Sequence, residues 1–208
     1  MIGLVGCNGV GKTTLAKAFA LKQDIPLVAT STSAVFERLG MDPKAEYSFA
    51  VRLQIQEAIL TALEGQYALA RKSSALFIAD RTPFDLAAYT LADIQRSTLH
   101  GDQETTAAAM NYVQRCFKSA AENFSVIALV QPGIALVERD GKAPSCPAFM
   151  EHFNAIAFGL LVDERNEVQR FMIPRSVLSV EARVMALSNA AAHALKTHEA
   201  VKEAMVFH

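Results

Sequence analysis

Gly6-Cys7-Asn8-Gly9-Val10-Gly11-Lys12-Thr13 fits the pattern G-x-x-x-x-G-K-[ST] at every fixed position, and no other stretch of the sequence restricts the fold as strongly. Such a loop functions between a buried strand and the start of a helix. The flanks supply both: residues 2–5 form a short apolar run that reads as a buried strand, and residues 14–21 continue as a helix with Leu15 and Phe19 on one face. Glycines at 6, 9 and 11 permit backbone conformations that a Cβ forbids, so that successive N–H groups turn inward around phosphate oxygens. The helix start adds unpaired N–H groups and the positive end of its dipole, Lys12 a point charge in a solvent-facing position, and the Thr13 hydroxyl a ligand for Mg²⁺. Gly6, Asn8, Gly9, Val10, Gly11, Lys12, Thr13 and Thr14 are therefore the expected binding residues for ATP, with Lys12 also catalytic and Thr13 on the metal.

A chain of 208 residues fits one α/β domain with room for a lid. No apolar run reaches the length of a membrane span, and the first strand begins too early to leave room for a signal peptide, so a cytoplasmic protein with no membrane partner is expected. The formal net charge of −1 counts against nucleic acid as a general partner, while a small anion needs only a local basic pocket. Cys7, Cys116 and Cys146 are widely spaced without zinc-ligand spacing and are expected as reduced thiols. Cys7 lies beside a helix N-terminus, which could lower its pKa, but it reads as a small filler of a variable loop position.

Further apolar runs alternate with helical patterns. Residues 25–30 read as a second strand, followed by a short helix carrying Phe36 and Arg38, both candidate substrate contacts because they lie beyond a strand's carboxyl end. The alternative for each is a core Phe and a solvated Arg. A long helix over residues 45–63 places Phe49, Leu53, Gln56, Leu60 and Leu63 on one stripe, where Gln56 is the only polar member. A lone amide there either pairs within the fold or reads the edge of a nucleobase; Arg52, one turn earlier, can reach the same crevice or be solvated.

Residues 75–79 are a third apolar run ending in Asp80-Arg81, with Thr82-Pro83-Phe84-Asp85 and a helical segment beyond. A carboxylate at the end of a buried strand, in a chain with such a loop, is placed to hold Mg²⁺, so Asp80 is a catalytic and metal candidate. Arg rather than Glu follows Asp80, which disfavours a motor-type ATPase, and no N-K-x-D element marks a guanine-specific switch.

With these residues the sequence resembles P-loop nucleoside and nucleotide kinases, the group containing thymidylate kinases, deoxynucleoside kinases and nicotinamide riboside kinase domains. The resemblance rests on residues 6–13 and on Asp80-Arg81 with Asp85 and Tyr89 downstream. It implies a mostly parallel five-stranded sheet of order 2-3-1-4-5 with helices on both faces, ATP and Mg²⁺ as cofactors, Arg81 on an acceptor phosphate, and Asp80 near metal or acceptor. Phe84, Asp85 and Tyr89 join Phe36, Arg38, Arg52, Gln56 and Arg81 as expected substrate-binding residues. Thr82 stands where thymidylate kinases carry an aromatic residue. The polar stretch 134–147 resembles a kinase lid, with Arg139 and Lys142 as catalytic cations; an ordinary solvated turn is the alternative. A helix over residues 102–124, a strand over 125–130, a helix over 148–162, a strand over 171–173 and a final helix complete one domain, residues 1–208. The expected activity is transfer of the ATP γ-phosphate to a nucleoside or nucleoside monophosphate. A hydroxymethylated base in DNA, another metabolite, and a non-transferring nucleotide binder remain open, as does a homodimer.

Overall fold

The computed structural model describes residues 1–29, 32–94, 102–134 and 146–206. Within them five strands, β1 (Ile2–Val5), β2 (Leu27–Val28), β3 (Ile78–Ala79), β4 (Val126–Val130) and β5 (Gln169–Ile173), form one all-parallel sheet in the order β2-β3-β1-β4-β5. β1 and β4 are buried at every position, as strands covered on both faces must be, whereas edge strand β5 has exposed positions. β2 and β3 are shorter than the apolar runs that announce them. Pro26 has no N–H for a ladder, though its carbonyl accepts from Ile78 N at 3.0 Å, and so β2 begins only at Leu27.

The helices are α1 (Lys12–Gln23), α2 (Thr32–Leu39), α3 (Phe49–Ser73), α4 (Pro83–Ile94), α5 (Gln103–Asn123), α6 (Pro147–Val162) and α7 (Val180–Val206). α1 packs with α7, while α4 lies among α3, α5 and α6. α3 starts later and runs well past the expected end at residue 63. Ser48 caps it, accepting from Val51 N, and the chain passes through Gly65, whose missing Cβ would meet nothing within 4 Å. The helix continues because its last turns bury Tyr67 and Ala70. Tyr67 stacks on Phe77 at 5.9 Å and meets the edge of Phe124 at 5.0 Å, an aromatic cluster under the end of β3.

The parallel arrangement puts every strand's carboxyl end on one rim of the sheet. The phosphate loop follows β1, Asp80 follows β3, and the segments at Gln131 and Pro174 follow β4 and β5.

Candidate active site

Gly9 and Gly11 both take φ 89°, the left-handed region in which a side chain is strained, and the loop delivers the chain into α1 with Gly11 at the N-cap. Gly11 offers no side chain to the first-turn N–H groups, which leaves them to a ligand. Lys12 does not face solvent as the sequence suggests: it is 7% exposed and folded back into the loop. Its Nζ donates to Gly6 O and, at 3.1 Å, to Cys7 O, and it stands 3.5 Å from Asp85 Oδ1. Burial pushes the Lys12 pKa down, with Asp85 opposing the shift.

Asp85 is fully buried and engaged on both oxygens. Oδ1 accepts from Gly6 N at 3.2 Å, and Oδ2 accepts from Thr82 N at 2.9 Å and from Thr82 Oγ1 at 3.1 Å. Burial raises its pKa, and the Lys12 charge counters that. Phe84 is equally enclosed, edge-on to Phe117 at 5.1 Å. Of the two expected substrate contacts, Phe84 is thus enclosed in the core and Asp85 braces the phosphate loop. Thr82, passed over in the sequence as a departure from an aromatic, supplies two donors to that brace. Cys7 is buried, and burial raises its thiol pKa, which agrees with a filler.

Asp80, 8% exposed, accepts from Thr13 Oγ1 at 3.0 Å through Oδ2. Its Oδ1 is buried with no hydrogen-bond partner among the described residues. A bare carboxylate oxygen beside a hydroxyl at the mouth of an anion cradle is the hard oxygen chemistry that Mg²⁺ takes, so these two residues fit the ion.

Arg81, the next residue, donates through Nη2 to Asn8 Oδ1 at 3.3 Å, and its carbonyl accepts from the Tyr67 hydroxyl at 2.8 Å. On α3, Arg52 is half-buried, pairs with Asp93 of α4 at 2.6 Å and donates through Nη1 to Tyr47 O. One turn later Gln56 is half-buried, with Oε1 enclosed and lacking a partner among the described residues. Tyr89 of α4 packs its ring on Phe153 at 4.6 Å and Phe149 at 6.3 Å, with its hydroxyl against the Asn8 backbone and Cys7. Arg52 and Gln56 thus lie on α3 and Tyr89 on α4, two helices that pack against each other. Phe36 is half-buried against the core and Arg38 exposed, both on α2, which packs chiefly on α3. Arg139 and Lys142, with most of the 134–147 segment, lie outside the described residues.

Sequence reasoning missed Arg183. It is 2% exposed near the start of α7, with Nη1 donating to Val10 O at 2.7 Å and Nε to Val177 O at 2.7 Å. A signal was present, since Arg183 shares a helical stripe with buried Leu187, Ala191 and Ala194, as Gln56 does with its leucines.

A family model described as an AAA domain matches residues 1–123, more than half of the chain. The chain belongs to this AAA domain family. No curated protein matches the AAA-domain chain significantly. Solved structures of deoxyadenosine kinase from M. mycoides share its fold. The one with products dCMP and a flexible dCDP bound has 16% identity and TM-score 0.62, covering 92% of this chain and 98% of its own. The dCTP-bound structure has 15% identity and TM-score 0.64 with the same coverage. The dATP-bound one has 14% identity and TM-score 0.62, covering 90% and 97%. The fold of this AAA domain is accordingly that of the P-loop nucleoside-kinase group, with the sheet order 2-3-1-4-5 that the sequence resemblance implied.

Proposed function

We propose that this AAA-domain protein is a kinase that transfers the γ-phosphate of ATP, with Mg²⁺, to a nucleoside or nucleoside monophosphate held between α3 and α4. The observation that carries the reading is Asp80, with one oxygen on the Thr13 hydroxyl and the other buried and bare at the mouth of the phosphate loop. The kinase fold of the solved structures supports the same reading.

In this reading the loop N–H groups and the α1 N-terminus bind the triphosphate, and Lys12 exchanges its carbonyl acceptors for phosphate oxygens. Thr13 and Asp80 would hold Mg²⁺, which would supply charge neutralisation for the phosphates. The acceptor hydroxyl oxygen forms a bond to the γ-phosphorus, the bond to the β-γ bridging oxygen breaks, and the hydroxyl proton leaves to a nearby base, for which Asp80 is the candidate if it is not engaged with metal. Arg81 holds an acceptor phosphate and Gln56 a base edge, and Arg139 and Lys142 are further cations for the charge of the transferred group. Catalysis comes from positioning and charge neutralisation, because little covalent chemistry is left to the protein. Arg81 occupies the position after Asp80 where a water-activating glutamate would stand in a hydrolytic ATPase, so transfer to an organic hydroxyl is favoured.

The test is incubation with ATP and Mg²⁺ and a panel of nucleosides, nucleoside monophosphates and DNA carrying hydroxymethylated bases, scored by phosphorylated product. Product on a small acceptor is expected. Product on DNA alone moves the acceptor to a larger molecule, and free phosphate without acceptor product removes the kinase reading.

A further inference from the structure

The phosphate loop and the Asp80-Arg81 segment stand on neighbouring strands whose pairing stops short of them. β1 and β3 are paired at Ile2–Ile78 and Gly3–Ala79, whereas β1 continues against β4 as far as Val5–Leu129. Beyond Gly3 and Ala79, side chains rather than a ladder set the distance between the two segments. Three side-chain links span that gap among the described residues: Thr13 Oγ1 donates to Asp80 Oδ2 at 3.0 Å, Arg81 Nη2 to Asn8 Oδ1 at 3.3 Å, and Gly6 N to Asp85 Oδ1 at 3.2 Å.

The links have different fates in the reaction. The first two use groups that the kinase reading assigns to the metal and to an acceptor phosphate. The third uses neither and is closed to water, since Thr82 and Asp85 are both fully buried. Asp85 carries it to the residue after Arg81 through Oδ2, which accepts from Thr82 N at 2.9 Å and from Thr82 Oγ1 at 3.1 Å. The Thr82 methyl lies against β1 at the residue where the β1–β3 pairing ends: a Cβ on Gly3 would lie 2.4 Å from Thr82 Cγ2 and 2.9 Å from Phe124 Cδ1. Thr82 therefore meets β1 with its methyl and the Gly6–Asp85 link with its hydroxyl. A buried polar network with its acceptors filled in this way is rigid.

Resting on the kinase reading above, we propose that Thr82 is a positioning residue for phosphoryl transfer. Through Asp85 it holds Asp80 and Arg81 in register with the phosphate loop while the other two links are given over to metal and phosphate. It touches no substrate. Its effect is on geometry, and a misplacement of about 1 Å in such a site lowers turnover on the order of 10²-fold.

The test compares wild type, Thr82→Val and Thr82→Ser. Valine keeps the size and the backbone N–H and removes the hydroxyl donor; serine keeps the hydroxyl and removes the methyl. Thermal melting checks that each is folded, calorimetric titration gives the ATP affinity, and steady-state kinetics on the acceptor that the panel identifies gives kcat. Thr82→Val is expected to lose tenfold or more in kcat with ATP affinity within twofold of wild type, and Thr82→Ser to stay within threefold of wild type in both. If Thr82→Val does not fold, Thr82→Cys, which keeps the size and offers only a weak S–H donor, takes its place with the same outcome expected. A wild-type kcat without the hydroxyl overturns the proposal. So do equal losses in the valine and serine variants, which would make Thr82 a packing residue, and a fall in ATP affinity as large as the fall in kcat, which would confine the link to shaping the loop. A wild type that phosphorylates no acceptor fails the kinase reading itself, and the proposal falls with it.

Discussion

Lys12 and Asp85 put opposite charges together in the interior, and each is costly there without the other. Removing one partner of a buried pair typically costs about 3 to 5 kcal/mol, because the remaining charge loses its compensation. Lys12→Met and Asp85→Asn are each expected to destabilise, and the double variant to fall short of the sum of the two by at least about 1 kcal/mol. Urea unfolding of the four proteins measures this, and additive losses would dismiss the pair as a contact of no energetic weight. Lys12→Met should also lower phosphoryl transfer on the order of 10²-fold or more. The thiols sort by environment in the same way. Burial raises the pKa of Cys7 and pushes Cys116 up to about 12, whereas Cys146 is exposed at the N-cap of α6. Iodoacetamide at pH 8, read by mass spectrometry, is expected to label Cys146 first, and early labelling of Cys7 would contradict the buried loop. Lys12 itself was legible in the sequence because its motif is local. Its partner was not, since the brace joins residues as far apart as Gly6 and Asp85, 79 positions along the chain.

Element type was legible wherever the hydrophobic period was long, and element ends were lost wherever tertiary packing decided them. α5, expected over residues 102–124, is found at Gln103–Asn123, with Asp102 accepting from Thr105 N as its cap. α3, expected to end at residue 63, runs through Gly65 to Ser73. A glycine costs a helix only about 1 kcal/mol relative to alanine, and the buried rings beyond it outweigh that. That extension has a consequence for the site. Tyr67, in the added turns, donates to Arg81 O and so props the end of β3 from beneath. Tyr67→Phe keeps the aromatic cluster and removes only this donor. It is expected to cost about 1 to 2 kcal/mol in chemical denaturation. A neutral substitution would mean that water replaces the phenol.

For the whole molecule, parallel strands joined by helical crossovers gather the loops after β1, β3, β4 and β5 on one rim, which is why a local motif near the N-terminus predicts where distant residues meet. Arg183 reaches Val10 across 173 positions, a contact that only the assembled sheet reveals. In the proposed function the acceptor lies next to β3, α3 and α4. On the acceptor side two residues are expected to fail in different ways. Arg81 is a fixed cation at the carboxyl end of β3, held lightly by Asn8 at 3.3 Å, and can turn to an acceptor phosphate. Gln56 keeps a carbonyl oxygen enclosed and unpartnered on α3, an acceptor suited to an amino or imino edge of a base. Arg81→Ala should therefore slow phosphorylation of nucleoside monophosphates much more than that of nucleosides. Gln56→Leu should leave the phosphate preference alone and blur discrimination among bases, each lost contact being worth roughly 1 to 3 kcal/mol, or about 5-fold to over 100-fold in kcat/KM. Steady-state kinetics on paired nucleosides and monophosphates of several bases separates the two effects. If Arg81→Ala leaves monophosphate kinetics at the wild-type level, the acceptor phosphate is not bound at the end of β3, and the nucleoside rather than the monophosphate becomes the substrate this crevice fits.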